Sequence, residues 1–335
     1  MPPDTSTEPA AAPPYRRLAV VGAGAWGTAL AIVASANAQV DLWAREAEIR
    51  DSIAARHENS LFLPGIVLPA SIVPIAEIGA AGAADAILLA SPAQHLRSVL
   101  ESLRGFVKAG TPIVLAAKGI ETGTGLLPTE VLEEIVPQAE PAILSGPSFA
   151  RDVARGLPTA VTIAARDANA AARLAATMNR SGFRPYVSDD LAGVALGGAA
   201  KNVYAIACGM VEGAGFGESA RAATLSRGFA ELLRLGSGMG ARMETLVGLS
   251  GLGDLALTAT SISSRNFALG VALGKGVMPS GALAEGAATA PALVARARRH
   301  GIELPIAEAV ADVLAGKLGV KAAAERLLAR PLRNE

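Results

Sequence analysis

The sequence predicts an α/β protein in two parts, a doubly wound sheet followed by an all-helical domain. Three observations carry this. A glycine-rich turn near the N-terminus lies between two short apolar runs, with a helical run inside the pair. Short β-like runs then alternate with helical segments to about residue 190, which implies right-handed crossovers. Beyond that point the strand signals stop and helices broken by glycine take over.

The opening unit reads Arg17-Leu-Ala-Val-Val-Gly22-Ala-Gly24-Ala25-Trp26-Gly27, then Thr28-Ala-Leu-Ala-Ile-Val, then Val40-Asp-Leu-Trp43-Ala-Arg45. Strand, glycine turn, helix and strand in this order form the start of a Rossmann-type dinucleotide-binding domain. Gly22 allows the tight turn, Gly24 lets backbone approach a pyrophosphate, and Gly27 lets helix and strand pack closely. The helix N-terminus faces the phosphate charge. Arg16-Arg17 before an uncharged stretch also imitates a twin-arginine export signal or a membrane span. Three glycines within six residues weaken such a helix, and Asn37 and Gln39 interrupt it further.

The remaining strands are expected at 85–90, 112–117, 141–145, 159–164 and 184–187, after 18–22 and 39–43. The helices of the second part are expected at 190–212, 218–236, 241–247, 264–274, 289–300, 305–315 and 319–329. Domain limits follow as a disordered tail 1–15, a dinucleotide-binding domain 16–190 and a helical substrate domain 191–335. The tail has five prolines in its first fourteen residues.

Composition narrows the function. Thirty basic and thirty acidic residues give no net charge, and no aromatic-rich basic stripe exists, so nucleic acid is not an expected partner. Apolar residues reach 51%, much of it alanine, without a later apolar run expected to span a membrane. Cys208 is the only cysteine, which suits a reducing cytoplasm. No metal-ligand spacing is present.

Open α/β sheets bind ligands at the carboxyl ends of their strands. Those ends carry the glycine turn, Ser91-Pro92, Lys118-Gly119 and Ser145-Gly146-Pro147-Ser148-Phe149-Ala150. At the end of the second strand an acid would select NAD by binding the ribose 2′-hydroxyl. Arg45 stands there, eighteen residues past Gly27, and suits the 2′-phosphate of NADPH; Glu46 leaves NADH possible.

In the second part, Lys201-Asn202 interrupts an apolar run of small residues, where burial lowers a lysine pKa toward the range of proton transfer. His57, His95 and His300 lie in no ligand-like turn, so histidine is not the expected acid–base. Gly251-Leu-Gly-Asp254 leads to Ser264-Arg265-Asn266, a helix start with free N–H groups beside an arginine, which suits a phosphate. Asp254 is placed to bind a substrate hydroxyl or to position Lys201, and Glu285 to touch a ribose.

Taken together these motifs, with Asn59-Ser-Leu-Phe-Leu-Pro-Gly65, resemble the bacterial NAD(P)-dependent glycerol-3-phosphate dehydrogenases from about Arg17 to Leu328. The resemblance implies reduction of dihydroxyacetone phosphate to sn-glycerol 3-phosphate for phospholipid synthesis. It implies Lys201 as proton donor and acceptor, with Lys118 and Asp254 as further catalytic groups. Lys118, Gly146, Ser148, Lys201, Asp254, Ser264, Arg265 and Asn266 would meet substrate. Gly22, Gly24, Ala25, Trp26, Gly27, Arg45, Lys118, Ala150, Arg265, Leu283 and Glu285 would meet cofactor. Ala25 and Leu283 depart from the family, which often has Ser and Val there. The alternative is a related reductase of the β-hydroxyacid or ketopantoate type, and a homodimer is a possible assembly.

Overall fold

The computed structural model describes residues 12–277 and 284–330. Eight strands form one sheet: β1 (Arg17–Val21), β2 (Gln39–Trp43), β3 (Ile72–Ile75), β4 (Ala86–Leu89), β5 (Pro112–Leu115), β6 (Glu140–Ser145), β7 (Thr159–Ala165) and β8 (Phe183–Ser188). Their order is β3-β2-β1-β4-β5-β6-β7-β8, parallel throughout except that β7 runs antiparallel to β6. The order reverses between β1 and β4, so a crevice opens at the carboxyl ends there.

The sheet is crossed by α1 (Ala25–Ala34), α2 (Ala47–Arg56), α3 (Leu96–Leu103), α4 (Pro128–Ile135), α5 (Ala150–Ala154) and α6 (Ala168–Met178). The helices that follow are α7 (Leu191–Gly213), α8 (Glu218–Gly238), α9 (Met243–Val247), α10 (Asp254–Thr260), α11 (Arg265–Gly274), α12 (Glu285–Arg299), α13 (Pro305–Leu314) and α14 (Val320–Leu328).

Alternate residues of each strand feed opposite faces of the sheet. Leu18 and Val20 join a core with α1 and α6, whereas Ala19 and Val21 join the core that contains α3, α4 and α7. That second core runs on into the helices after residue 190, so the sheet and α7 share one apolar interior. Within the helical part, α7 and α11 meet backbone to backbone: a Cβ on Gly209 would come within 2.2 Å of the Phe267 carbonyl, and one on Gly270 within 2.1 Å of the Ile206 carbonyl. By length and composition α7 could cross a membrane, contrary to the expectation that no later run is apolar enough, but 94% of that stretch is buried inside the protein.

Three elements depart from the sequence reading. Strand β3 was not expected; Pro74 removes a ladder donor, which only an edge strand tolerates. Residues 249–260 lie between the expected helices 241–247 and 264–274, where no helix was expected, yet they form a π-helical turn (Leu249–Gly253) continuous with α10. Helix α12 begins at Glu285 rather than 289 and runs through Pro291. Of the expected tail, residues 1–11 lie outside the described residues. Tyr15 is buried, its N–H donating to Thr177 Oγ1 at 2.9 Å.

Candidate active site

The glycine turn is shaped as the sequence predicts. Gly22 has φ +111°, open to a residue without Cβ, and a Cβ on Gly27 would lie 1.8 Å from the Gly22 carbonyl. A Cβ on Gly24 would meet nothing within 4 Å, so the turn faces open space. No side chain caps α1, and its first-turn N–H groups are left for an anion. The buried Ser91 hydroxyl beside this turn has no hydrogen-bond partner among the described residues, and neither does the Trp26 indole N–H. A narrow turn, an uncapped helix and orphaned donors fit a dinucleotide pyrophosphate.

Toward the middle of the sheet, Lys118 stands three residues beyond β5 and Gly146 one beyond β6. Helix α7 passes over both strand ends because it is small there. A Cβ on Gly198 would lie 2.8 Å from Ser145 Oγ, and one on Gly197 would lie 2.6 Å from the Ser250 carbonyl. This close passage brings Lys201 to the strand ends. Lys201 is 7% exposed and Asp254 fully buried. The Lys201 ammonium donates to Asp254 Oδ1 at 2.7 Å and to Thr258 Oγ1 at 2.8 Å. Lys118 Nζ donates to Asp254 Oδ2 at 2.7 Å and to the Gly146 carbonyl at 3.0 Å. It also lies 5.9 Å from the Trp26 ring centre. Two lysines, 83 positions apart in the chain, therefore share one carboxylate.

The charges follow from this packing. Burial lowers the Lys201 pKa to about 8, against the pull of Asp254 and with the push of Lys118. Burial opposes the charge on Asp254, but the two ammonium groups outweigh it and hold the carboxyl below its ordinary range. Burial raises the pKa of Glu285, which Arg265 and the two lysines partly offset.

A chain of amides frames the lysines. Asn202 Nδ2 donates to the Lys118 carbonyl at 2.7 Å, Asn266 Nδ2 to Asn202 Oδ1 at 2.8 Å, and the Gly286 N–H to Asn266 Oδ1 at 2.9 Å. The Ser264 hydroxyl caps α11 by accepting from the Phe267 N–H at 3.2 Å. Ser148 Oγ donates to the Gly146 carbonyl at 3.0 Å. The expected substrate residues of the strand ends and of α7, α10 and α11 are thus gathered in one region. Ala150 begins α5, which packs against α1.

At the other end of the crevice, Arg45 follows β2 with its side chain 81% exposed, its Nη2 2.9 Å from Glu46 Oε1. Arg50 was not singled out from the sequence. Its Nη1 donates to the Ala44 and Arg45 carbonyls at 2.7 and 2.9 Å, which adds a second cation to that turn. Thr258 was missed likewise; its signal was its place one turn after Asp254. Leu283 lies outside the described residues.

A Rossmann-type sheet with a glycine turn, joined to a helical part that supplies a buried lysine, defines a two-part NAD(P)-dependent dehydrogenase. Residues 17–171 match the family "NAD-dependent glycerol-3-phosphate dehydrogenase N-terminus" and residues 190–325 its C-terminus. The chain belongs to this family. It is 58% identical over 328 residues to "Glycerol-3-phosphate dehydrogenase [NAD(P)+]" of Parvibaculum lavamentivorans, covering 96% of this chain and 98% of that relative. A crystal structure of glycerol-3-phosphate dehydrogenase from Coxiella burnetii superimposes with TM-score 0.89 at 36% identity, over 94% of this chain and 99% of that one. A ketopantoate reductase family structure from Ralstonia eutropha, at 16% identity and TM-score 0.59 over 92% and 99% of the two chains, shares the fold alone.

Proposed function

We propose that this chain reduces dihydroxyacetone phosphate to sn-glycerol 3-phosphate, reversibly, with NADPH as the favoured cofactor. The observation that carries the reading is the pair Lys201 and Lys118 on the single carboxylate of Asp254, below the glycine turn.

Gly22, Gly24, Ala25, Trp26 and Gly27 would hold the pyrophosphate through backbone N–H groups, and Arg45 with Arg50 would face the adenosine 2′-phosphate. Arg265, Ala150 and Glu285 would complete the cofactor contacts in this reading. When bound, the nicotinamide supplies a hydride to the ketone carbon. Lys201 supplies the proton to the developing alkoxide, and a pKa of about 8 suits both giving and taking it near neutral pH. Lys118 adds positive charge beside the same oxygen. Asp254 keeps both ammonium groups aimed and lifts Lys201 above the value burial alone would set. Ser264, Arg265 and Asn266 would take the phosphate, with Gly146 and Ser148 along the carbon chain, so remote binding energy orients the carbonyl. The product is a precursor for phospholipid synthesis in the cytoplasm, and the catalytic work is divided between a cofactor domain ending near 190 and the helices after it.

The test is absorbance loss with purified protein, dihydroxyacetone phosphate and either NADPH or NADH. Turnover with NADPH, lost in Lys201→Ala, is the expected result; near-normal turnover of that variant would remove the role given to Lys201.

A further inference from the structure

Asn59 opens a sequence motif, Asn59-Ser-Leu-Phe-Leu-Pro-Gly65, that the proposed reaction does not use. It lies in the loop after α2, is fully buried, and reaches back to the glycine turn. Asn59 Nδ2 donates to the Ala23 carbonyl at 2.7 Å and to Thr28 Oγ1 at 2.8 Å, while its Oδ1 accepts from the Phe62 N–H at 3.2 Å. A carbonyl can only accept and a backbone N–H can only donate, so the network fixes the orientation of the amide.

The Ala23 carbonyl sits between Gly22 and Gly24, in the middle of the turn that faces the pyrophosphate. Turned toward the crevice, it would set a negative dipole against a dianion; held by Asn59, it points into the protein. Both donors of one buried amide are used for this. The same side chain starts the turn that carries Leu61 and Phe62, both exposed. We propose that Asn59 is a positioning residue for the dinucleotide: it locks the Ala23 carbonyl and Thr28 so that the first-turn N–H groups of α1 stay aimed at the phosphates. This rests on the reading of the turn as a dinucleotide site.

The test uses the full-length chain, with Asn59→Ala and the isosteric Asn59→Asp, which keeps the acceptor for Phe62 and loses both donors. NADPH affinity is measured by calorimetric titration, and backbone deuterium exchange over residues 22–28 is measured without cofactor. The expected result is NADPH binding weaker by about 10- to 100-fold in both variants. Exchange at 22–28 should also be faster, and KM for dihydroxyacetone phosphate should move less than about threefold. If neither folds, Thr28→Val, which removes one of the two acceptors, should show the same faster exchange with a smaller loss of affinity. Affinity within about threefold of the parent, or unchanged exchange at 22–28, overturns the role of Asn59. A parent chain that binds neither NADPH nor NADH overturns the dinucleotide reading instead.

Discussion

The two ends of the crevice are built differently. At the reaction end, Lys201 and Lys118 are each paired with Asp254, and Asp254 has no exposure. At the adenosine end, Arg45 stands in solvent beside Glu46. Charges buried in contact interact strongly and leave a large penalty when one partner is removed, whereas exposed charges are screened and held loosely. In the proposed reading the chemistry is fixed by packing, and cofactor preference is left to groups that solvent can reach.

The sharpest way to break this contrast is at Lys201. Lys201→Ala should lower kcat by about 10³-fold or more, the scale of losing a positioned general acid, with KM for NADPH little changed. Steady-state kinetics in the reduction direction read both. Asp254→Asn should lower kcat by roughly 10²-fold, since the two ammonium groups lose their common anchor. It should also move the alkaline limb of the reduction profile to lower pH, because Asp254 is what raises Lys201 against burial. A limb that stays in place would show that Asp254 does not tune Lys201.

In the unaltered protein the sign is fixed by which form of Lys201 works. With Lys201 as the proposed acid, reduction needs the ammonium, so kcat should fall about tenfold per pH unit well above pH 8, while oxidation of glycerol phosphate needs the free amine and should rise through the same range. A pH–rate profile in each direction checks the pair. Smallest is the adenosine end. Arg45→Ala should raise KM for NADPH by about three- to tenfold, leave NADH unchanged, and lose much of its effect in high salt. An unchanged ratio of the two cofactors would remove Arg45 from selection.

How much of this was legible follows the same division. The glycine turn could be read because part of its demand is local: a Cβ on Gly27 would lie 1.8 Å from the Gly22 carbonyl, five residues back, although Gly22 is also crowded by Ala90 and Ser91 from the next strand end. The strand ends and the lone lysine of α7 were legible because an apolar run with one charge is visible in one dimension. Strand β3 was not, since Pro74 argues against a strand and only its edge position permits one. The π-turn before Asp254 was hidden by Gly251 and Gly253, which in isolation spell a loop; Gly251 is small because a Cβ there would lie 1.9 Å from the Leu246 carbonyl of the preceding turn.

The pairings themselves lay beyond the sequence. Lys118 and Asp254 are 136 positions apart, Lys201 and Asp254 are 53, and Asn59 meets Ala23 across 36. By itself the sequence determined the fold class, the glycine turn at the first strand end and the residue types available for proton transfer, because periodicity, turns and composition act over short stretches. Only the tertiary structure decided that two lysines would share one buried carboxylate and that an amide from a distant loop would hold the glycine turn. Contacts between distant segments depend on how the sheet and α7 pack, and burial, which shifts the charge on Lys201, exists only once they have packed.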